Sequence, residues 1–277
     1  MTSERYECQP DNSLWRHELL RWQRMQPGDQ YLPKFSSNID SMLTLRKAED
    51  RGKSDLGWLT SYHTFSFGGY SDPNHMGFRA LRVLNDDRVA AGKGFGAHGH
   101  RDMEILSYVL EGKLAHKDSM GEEHVLGPNE VQAMSAGTGV IHSEFNASET
   151  EPTHFFQVWL VPGSRGIKPS YQQFAYDPQE KRGTLRLIAG PEKNTNPPSA
   201  FINQDARMYA AVLGNGETIN YPIAPGRHAW VQGAAGEVEV NGMALREGDG
   251  LAVSDESSLT LRGAGARGGE LLLFDLA

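Results

Sequence analysis

The chain has 277 residues, 38% of them hydrophobic and 22% charged, with 27 basic against 35 acidic side chains. That is apolar material enough for real cores and excludes a largely disordered chain, while a net charge of −8 argues against a duplex-binding surface, which needs clustered Lys and Arg. No stretch of about 18 residues is free of charge, so no membrane-spanning helix is expected; with MTSERYECQP at its start and Cys8 as its one cysteine, the chain reads as cytoplasmic and reduced.

Residues 13–25 place Trp15, Leu19, Trp22 and Met25 at helical spacing, after Ser13 as an N-cap and before Pro27-Gly28 as a stop. This predicts a helical N-terminal extension over 1–41, read either as an appendage with Met42 as the true start or as a short docking helix. From Met42 onward the pattern changes to short apolar or alternating runs broken by Gly, Asn and Asp. Residues 78–85, 104–112, 154–161, 184–190 and 270–276 each read as strands. With 31 glycines, 14 prolines and no long periodic helix between these runs, the expectation is all-β, sandwich or barrel. A polar, Pro-rich tract at 191–199 is the best boundary. SYVLEGKLAHKD followed by LGPNEVQAMSAGTG echoes AWVQGAAGEVEVNG followed by LREGDGLAVSDESS, which predicts two copies of one β-unit, 42–190 and 191–277.

Of ten histidines, His17, His63, His75, His116, His124 and His228 are isolated in polar or turn contexts and read as surface residues. His154 opens an apolar strand and fits a core histidine as well as anything else. His98 and His100 differ: they stand two apart before a strand, so a period of two turns both rings to one face. His142 and Glu144 repeat that spacing after a Gly-rich turn. Two such pairs on neighbouring strands bring three imidazoles and a carboxylate to one interior, a donor set suited to a five- or six-coordinate redox metal with open positions. Glu104 is also even-spaced from His100 and competes with Glu144 as the carboxylate. Asp102 would then also turn inward, so a bulge near 101–103 is expected.

The spacing Gly92-x5-His98-x-His100-x3-Glu104 resembles the first motif of the cupin superfamily, with its closing Gly112 one residue late, and Gly139-x2-His142-x3-Asn146 resembles the second. In detail the chain resembles the pirin family, two-domain cupins that include bacterial quercetinase-like members. HGHRDMEILSYVLEG, HKDSMG, MSAGTGVIHSE and FQVWLVPGSRGIKPSYQQ carry the likeness, which spans about 42–174 closely and the remainder loosely. The resemblance implies two tandem jelly-roll cupin barrels and one divalent transition metal (iron first; nickel, cobalt, copper, manganese or zinc otherwise) on His98, His100, His142 and Glu144. Glu104 becomes an inward neighbour. Gly99 stands where the family has proline between the first two histidines. The second half holds only His228 and is expected to be metal-free.

For function, the resemblance implies a flavonol 2,3-dioxygenase that opens the heterocycle of quercetin-like compounds and releases carbon monoxide, with Glu144 or Glu104 as base. The other reading is a metal- or redox-sensing interaction protein, in which metal state alters a surface for a protein partner. Neither reading involves nucleic acid or a membrane.

Overall fold

The computed structural model describes residues 43–277. The predicted helix at 13–25 and the connector to Met42 lie outside the described residues. The first half contains β1 (Leu43–Arg46), β2 (Gly52–Asp55), β3 (Leu59–His63), β4 (Leu81–Val89), β5 (Gly94–His100), β6 (Glu104–Glu111), β7 (Leu114–Asp118), β8 (Glu123–Leu126), β9 (Glu130–Ser135), β10 (Val140–Asn146), β11 (Thr153–Leu160) and β12 (Ser170–Ala175). The second contains β13 (Arg186–Gly190), β14 (Ala200–Phe201), β15 (Ala206–Leu213), β16 (Thr218–Pro222), β17 (His228–Val240), β18 (Met243–Arg246), β19 (Gly250–Val253), β20 (Ser258–Gly263) and β21 (Gly269–Leu276). All five predicted runs contain strands, and the only helical elements among the described residues are two single-turn 3-10 segments, at Ala48–Asp50 and Pro178–Lys181. No helix among the described residues is long and apolar enough to cross a membrane.

A seven-stranded sheet, β12-β9-β6-β11-β4-β3-β2, faces a four-stranded sheet, β5-β10-β7-β8, and together they form the first barrel. The second half builds a ten-stranded sheet along β1-β19-β17-β21-β15-β13-β14, with β16, β18 and β20 branching from it. Two β-units of cupin type therefore stand in tandem, as the internal echo predicts. The strip AWVQGAAGEVEV, which echoes a hairpin of the first half, lies within a single 13-residue strand, β17, with an irregularity between Gly233 and Ala235.

Sheet membership divides the chain differently from 42–190 and 191–277. β13 pairs with β14 and β15, so residues 186–190 sit in the second sheet. β1 crosses to pair with β19, covering an edge that would otherwise expose unpaired backbone groups. After β1, Ala48 N–H donates to Asp249 (2.7 Å) and Arg51 reaches back to Asp86 on β4 (3.2 Å), so this segment straps the two halves.

Strand alternation explains why the first barrel carries a polar cluster inside, beside an apolar one of Val109, Leu114, Leu126 and Phe155, and why the second is apolar. The large sheets pack back to back: Leu106 and Tyr108 of β6 and Phe156 and Val158 of β11 meet Met208, Leu272 and Phe274 of the second half in one core. Strands buried on both faces read as continuous apolar runs, the pattern of EILSYVL and FFQVWL. Ser107, Gln132 and Gln157 take the opposite parity and are buried in the first barrel. The second barrel is instead packed by Leu213, Val231, Val238, Leu251, Leu261 and Leu271. His228, expected at the surface, is buried beside Ser254 (2.8 Å) and Arg79. His63 and His116, also expected at the surface, are buried in the first half.

One buried charge cluster makes stability pH-dependent. His154 (2.7 Å), Arg88 (2.9 Å) and Arg51 (3.2 Å) all reach the Asp86 carboxylate. Burial pushes this carboxyl up, but those three partners outweigh it and hold it below the ordinary 3.8. A depressed folded value means that the stabilisation is complete above the unfolded value and is lost as pH falls through the folded one. Asp86→Asn should therefore cost roughly 1.5–3 kcal/mol near neutrality, the range for hydrogen bonds to charged groups, and the cost should shrink below about pH 4. Urea melts of both proteins at neutral pH and at pH 3 check this; an equal penalty at both values would contradict it.

Candidate metal centre

β10 lies between β5 and β7. In this ladder His142 is opposite His98 and also opposite Asp118, while Glu144 is opposite His116. The Gly-rich turn that delivers β10 depends on glycine at 137: its φ is 45°, and a Cβ there would lie 2.1 Å from the Ile167 carbonyl oxygen. His142 and Glu144 then point inward from one face, while Ile141 is exposed.

Three imidazoles meet at one point. Ring centroids of His98, His100 and His142 lie 4.5–4.8 Å apart, and the Nε2 atoms of His98 and His142 are 3.0 Å apart. His98 Nδ1 donates to the Gly96 carbonyl (2.8 Å), which leaves its Nε2 as the lone-pair nitrogen facing His142. Burial lowers all three histidines from their usual range, His100 and His142 well below it, and the crowding of the rings adds to the effect. At neutral pH these rings are uncharged, the form that binds a metal. His98 is half-buried and forms the open side; His100 and His142 are buried. Trp159 stands edge-on to His100 at 4.9 Å.

Glu144 is held from three sides. Its Oε1 accepts from Ser107 Oγ (3.1 Å) and Gln132 Nε2 (3.0 Å), and its Oε2 accepts from Gln157 Nε2 (2.7 Å). A carboxylate has about four lone-pair positions, so one remains on Oε2. The donor atoms of His98, His100 and His142 lie within 4.8 Å of one another, and those of His116, His142 and Glu144 form a second such group. His142 belongs to both, so Glu144 joins the other two imidazoles through His142 and not as their immediate neighbour. Neutral nitrogens converging on a point, with a carboxylate oxygen left free beside them, fit a divalent cation.

Glu104 does not belong to this interior. The chain changes sheets between β5 and β6, and Asp102 at φ 49° turns it there, so the alternation of β5 does not run on into β6. Glu104 shares the parity of Leu106 and Tyr108 and faces the second half, where its Oε2 accepts from Ser135 Oγ (2.7 Å) and from the Asn203 backbone N–H (3.2 Å). Burial raises its carboxyl, with those two bonds opposing. This geometry sets Glu104 apart from the three imidazoles and favours Glu144 as the carboxylate beside them. The suspected irregularity at 101–103 is that sheet change, and Asp102 points outward to accept from Gly166 N–H (2.6 Å).

A neighbouring carboxyl behaves oppositely to Asp86. Asp87, one residue on and on the inner face of β4, is pushed up to about 8 by burial, with Asp86 and Glu144 adding repulsion and a Ser61 hydrogen bond opposing. It is therefore largely protonated at neutral pH and adds little charge to the barrel.

Sequence reasoning missed Ser107, Gln132, Gln157, His116 and Asp118. The signals were present. A lone glutamine at inward parity in FFQVWL must find a partner, and His116-x-Asp118 has the same two-apart spacing as the pairs that were recognised.

Two tandem β-barrels, one carrying a buried imidazole–carboxylate cluster and the other an apolar fill, define a two-domain cupin whose candidate metal centre, among the described residues, lies in the first barrel. Residues 44–160 match the model of the Pirin family, and residues 187–276 match that of the quercetinase C-terminal cupin domain. The chain is 45% identical over 235 residues to a quercetin 2,3-dioxygenase of Escherichia coli K12, covering 85% of this chain and 99% of the relative. It is 40% identical over 233 residues to a pirin-like protein of Caulobacter vibrioides, covering 84% and 99%. Among solved structures, the bacterial pirin YhhW of Escherichia coli in complex with nickel(II) superposes with a TM-score of 0.79 at 44% identity, over 84% of this chain and 98% of that one. The chain belongs to the pirin family.

Proposed function

We propose that the chain is a metal-dependent dioxygenase that opens the heterocyclic ring of flavonols such as quercetin, with His98, His100, His142 and Glu144 holding one divalent transition metal. One observation carries this reading: three neutral imidazoles meet inside the first barrel with a half-satisfied Glu144 Oε2 beside one of them, in a chain similar to a quercetin 2,3-dioxygenase over nearly its whole described length. Iron remains the expectation from the resemblance, and nickel is the ion named for the similar YhhW complex.

When bound, the cation would lower the pKa of the flavonol 3-hydroxyl and hold the enolate and dioxygen in reach of each other. The chain supplies the rest. The one free lone pair on Glu144 Oε2 would hold the metal and, once the flavonol takes its place there, accept the 3-hydroxyl proton, while Ser107, Gln132 and Gln157 keep the carboxylate aimed. The half-buried His98 side gives entry. Trp159 and Tyr171, packed with Met103 and Met134, offer an aromatic and thioether wall to a flat polycyclic substrate.

The metal-loaded protein should consume quercetin and dioxygen and release carbon monoxide in equal amounts, and do neither under nitrogen or after chelation. Unchanged turnover without oxygen would exclude a dioxygenase.

Glu104→Gln tests the base assignment. It should leave kcat within about threefold of the parent, because a residue bonded to Ser135 and Asn203 on the far face reaches no substrate. A hundredfold loss in steady-state assays would return Glu104 to the role of base.

A further inference from the structure

We propose that Asp118 and His116 form a relay that dictates which nitrogen of His142 carries its proton, making both of them positioning residues for the metal centre. This rests on the reading of His142 as a ligand. The Asp118 side chain is wholly buried, as is that of His116. Asp118 Oδ1 accepts the backbone N–H groups of Met120 (2.8 Å) and Glu122 (3.2 Å), which fixes the carboxylate, and Oδ2 faces His116 Nε2 at 3.0 Å. A carboxylate only accepts, so the proton of His116 is on Nε2. In the neutral ring Nδ1 is then a lone pair, and it faces His142 Nδ1 across a long 3.5 Å contact.

Two lone pairs would repel there, so His142 donates from Nδ1. Its Nε2 is thereby the lone-pair nitrogen, 3.0 Å from the Nε2 of His98, whose own proton is committed to the Gly96 carbonyl. The two lone pairs repel until a cation receives them, so the relay holds His142 in its metal-binding form against a repulsion that metal binding relieves. The opposite order, with His142 donating from Nε2, would force the neutral His116 ring to present a lone pair to Asp118.

The relay is also held mechanically. The His116 ring stacks on Tyr171 (4.6 Å between centroids), and Tyr171 stacks on His124 beyond it (5.0 Å). The Tyr171 hydroxyl donates to Gln132 Oε1 (3.2 Å), and Gln132 in turn donates to Glu144. Outer partners of this kind typically change metal affinity by about 10- to 100-fold when removed.

The test uses the full chain, stripped with a chelator and titrated with nickel(II), and reads two quantities: nickel affinity and the His142 tautomer from 15N shifts of the apo protein. The wild type should show the proton of His142 on Nδ1. In Asp118→Asn the oxygen stays with the Met120 and Glu122 N–H groups, so the amide NH2 faces His116. Both rings then reverse, the His142 proton moves to Nε2, and nickel affinity should fall about 10- to 100-fold. His116→Phe should lose a similar factor, whereas His116→Gln, which can donate to Asp118 and accept from His142, should recover most of it.

A wild-type His142 protonated on Nε2, as a doubly protonated His116 would require, overturns the relay, and so does an Asp118→Asn variant with wild-type affinity. His142→Ala separates the two possible failures. If it keeps nickel, the ligand reading falls and the relay with it; if it loses nickel while Asp118→Asn does not, the relay alone falls.

Discussion

His142→Ala should empty the metal centre. His142 is the one side chain common to both donor groups, and its Nε2 stands 3.0 Å from that of His98. Removing it deletes a donor outright and widens the interior, so affinity should drop by more than the roughly 100-fold that an outer partner costs. His98→Ala should behave alike, because its Nε2 faces the same point. The control is His228→Ala in the second barrel, where the ring meets Ser254, Arg79 and an edge-on Phe78 and belongs to no group of three potential metal ligands among the described residues. Metal content by elemental analysis, on protein purified without a metal-affinity tag, should be about one per chain in the parent and in His228→Ala, and near zero in the other two. Full occupancy in a His98→Ala/His142→Ala double variant would refute the site.

How much of this was legible in the sequence depended on whether strand alternation held. The pairs His98/His100 and His142/Glu144 each lie within one strand, so a period of two sufficed to turn them to one face. Glu104 does not share a strand with His100. The sheet change at 101–103 resets the alternation, and nothing in HRDME announces which way the strand emerges. Sheet pairing was not legible for a related reason: β1 pairs with β19 and β13 with β15, and long-range pairing leaves no local trace in composition. His63 and His116 look like surface histidines because their neighbours in sequence are polar. Their burial comes from strands that pack on them from far along the chain.

Glu144→Gln is the variant expected to damage catalysis most while sparing the fold. It keeps an oxygen donor for the metal but removes the charge and the basic lone pair. General-base catalysis contributes about 10²- to 10⁴-fold, so kcat should fall within that range. KM should move far less, provided the metal is retained, because a flat flavonol draws its binding from the surrounding aromatic walls. A further cost is local. Gln132 and Gln157 both present NH2 groups to the carboxylate, and an amide at position 144 must turn its own NH2 toward one of them. An unsatisfied buried donor costs about 1–3 kcal/mol, so the variant should also melt earlier. A second change, Gln157→Glu, should relieve that clash, because a carboxylate at 157 can accept from the new amide. The double variant should therefore regain melting temperature without regaining kcat. Steady-state quercetin turnover and thermal melts of both variants, each at matched metal content, separate the two effects. If the double variant regained kcat together with melting temperature, the loss in Glu144→Gln would be one of packing, and Glu144 would not be the base.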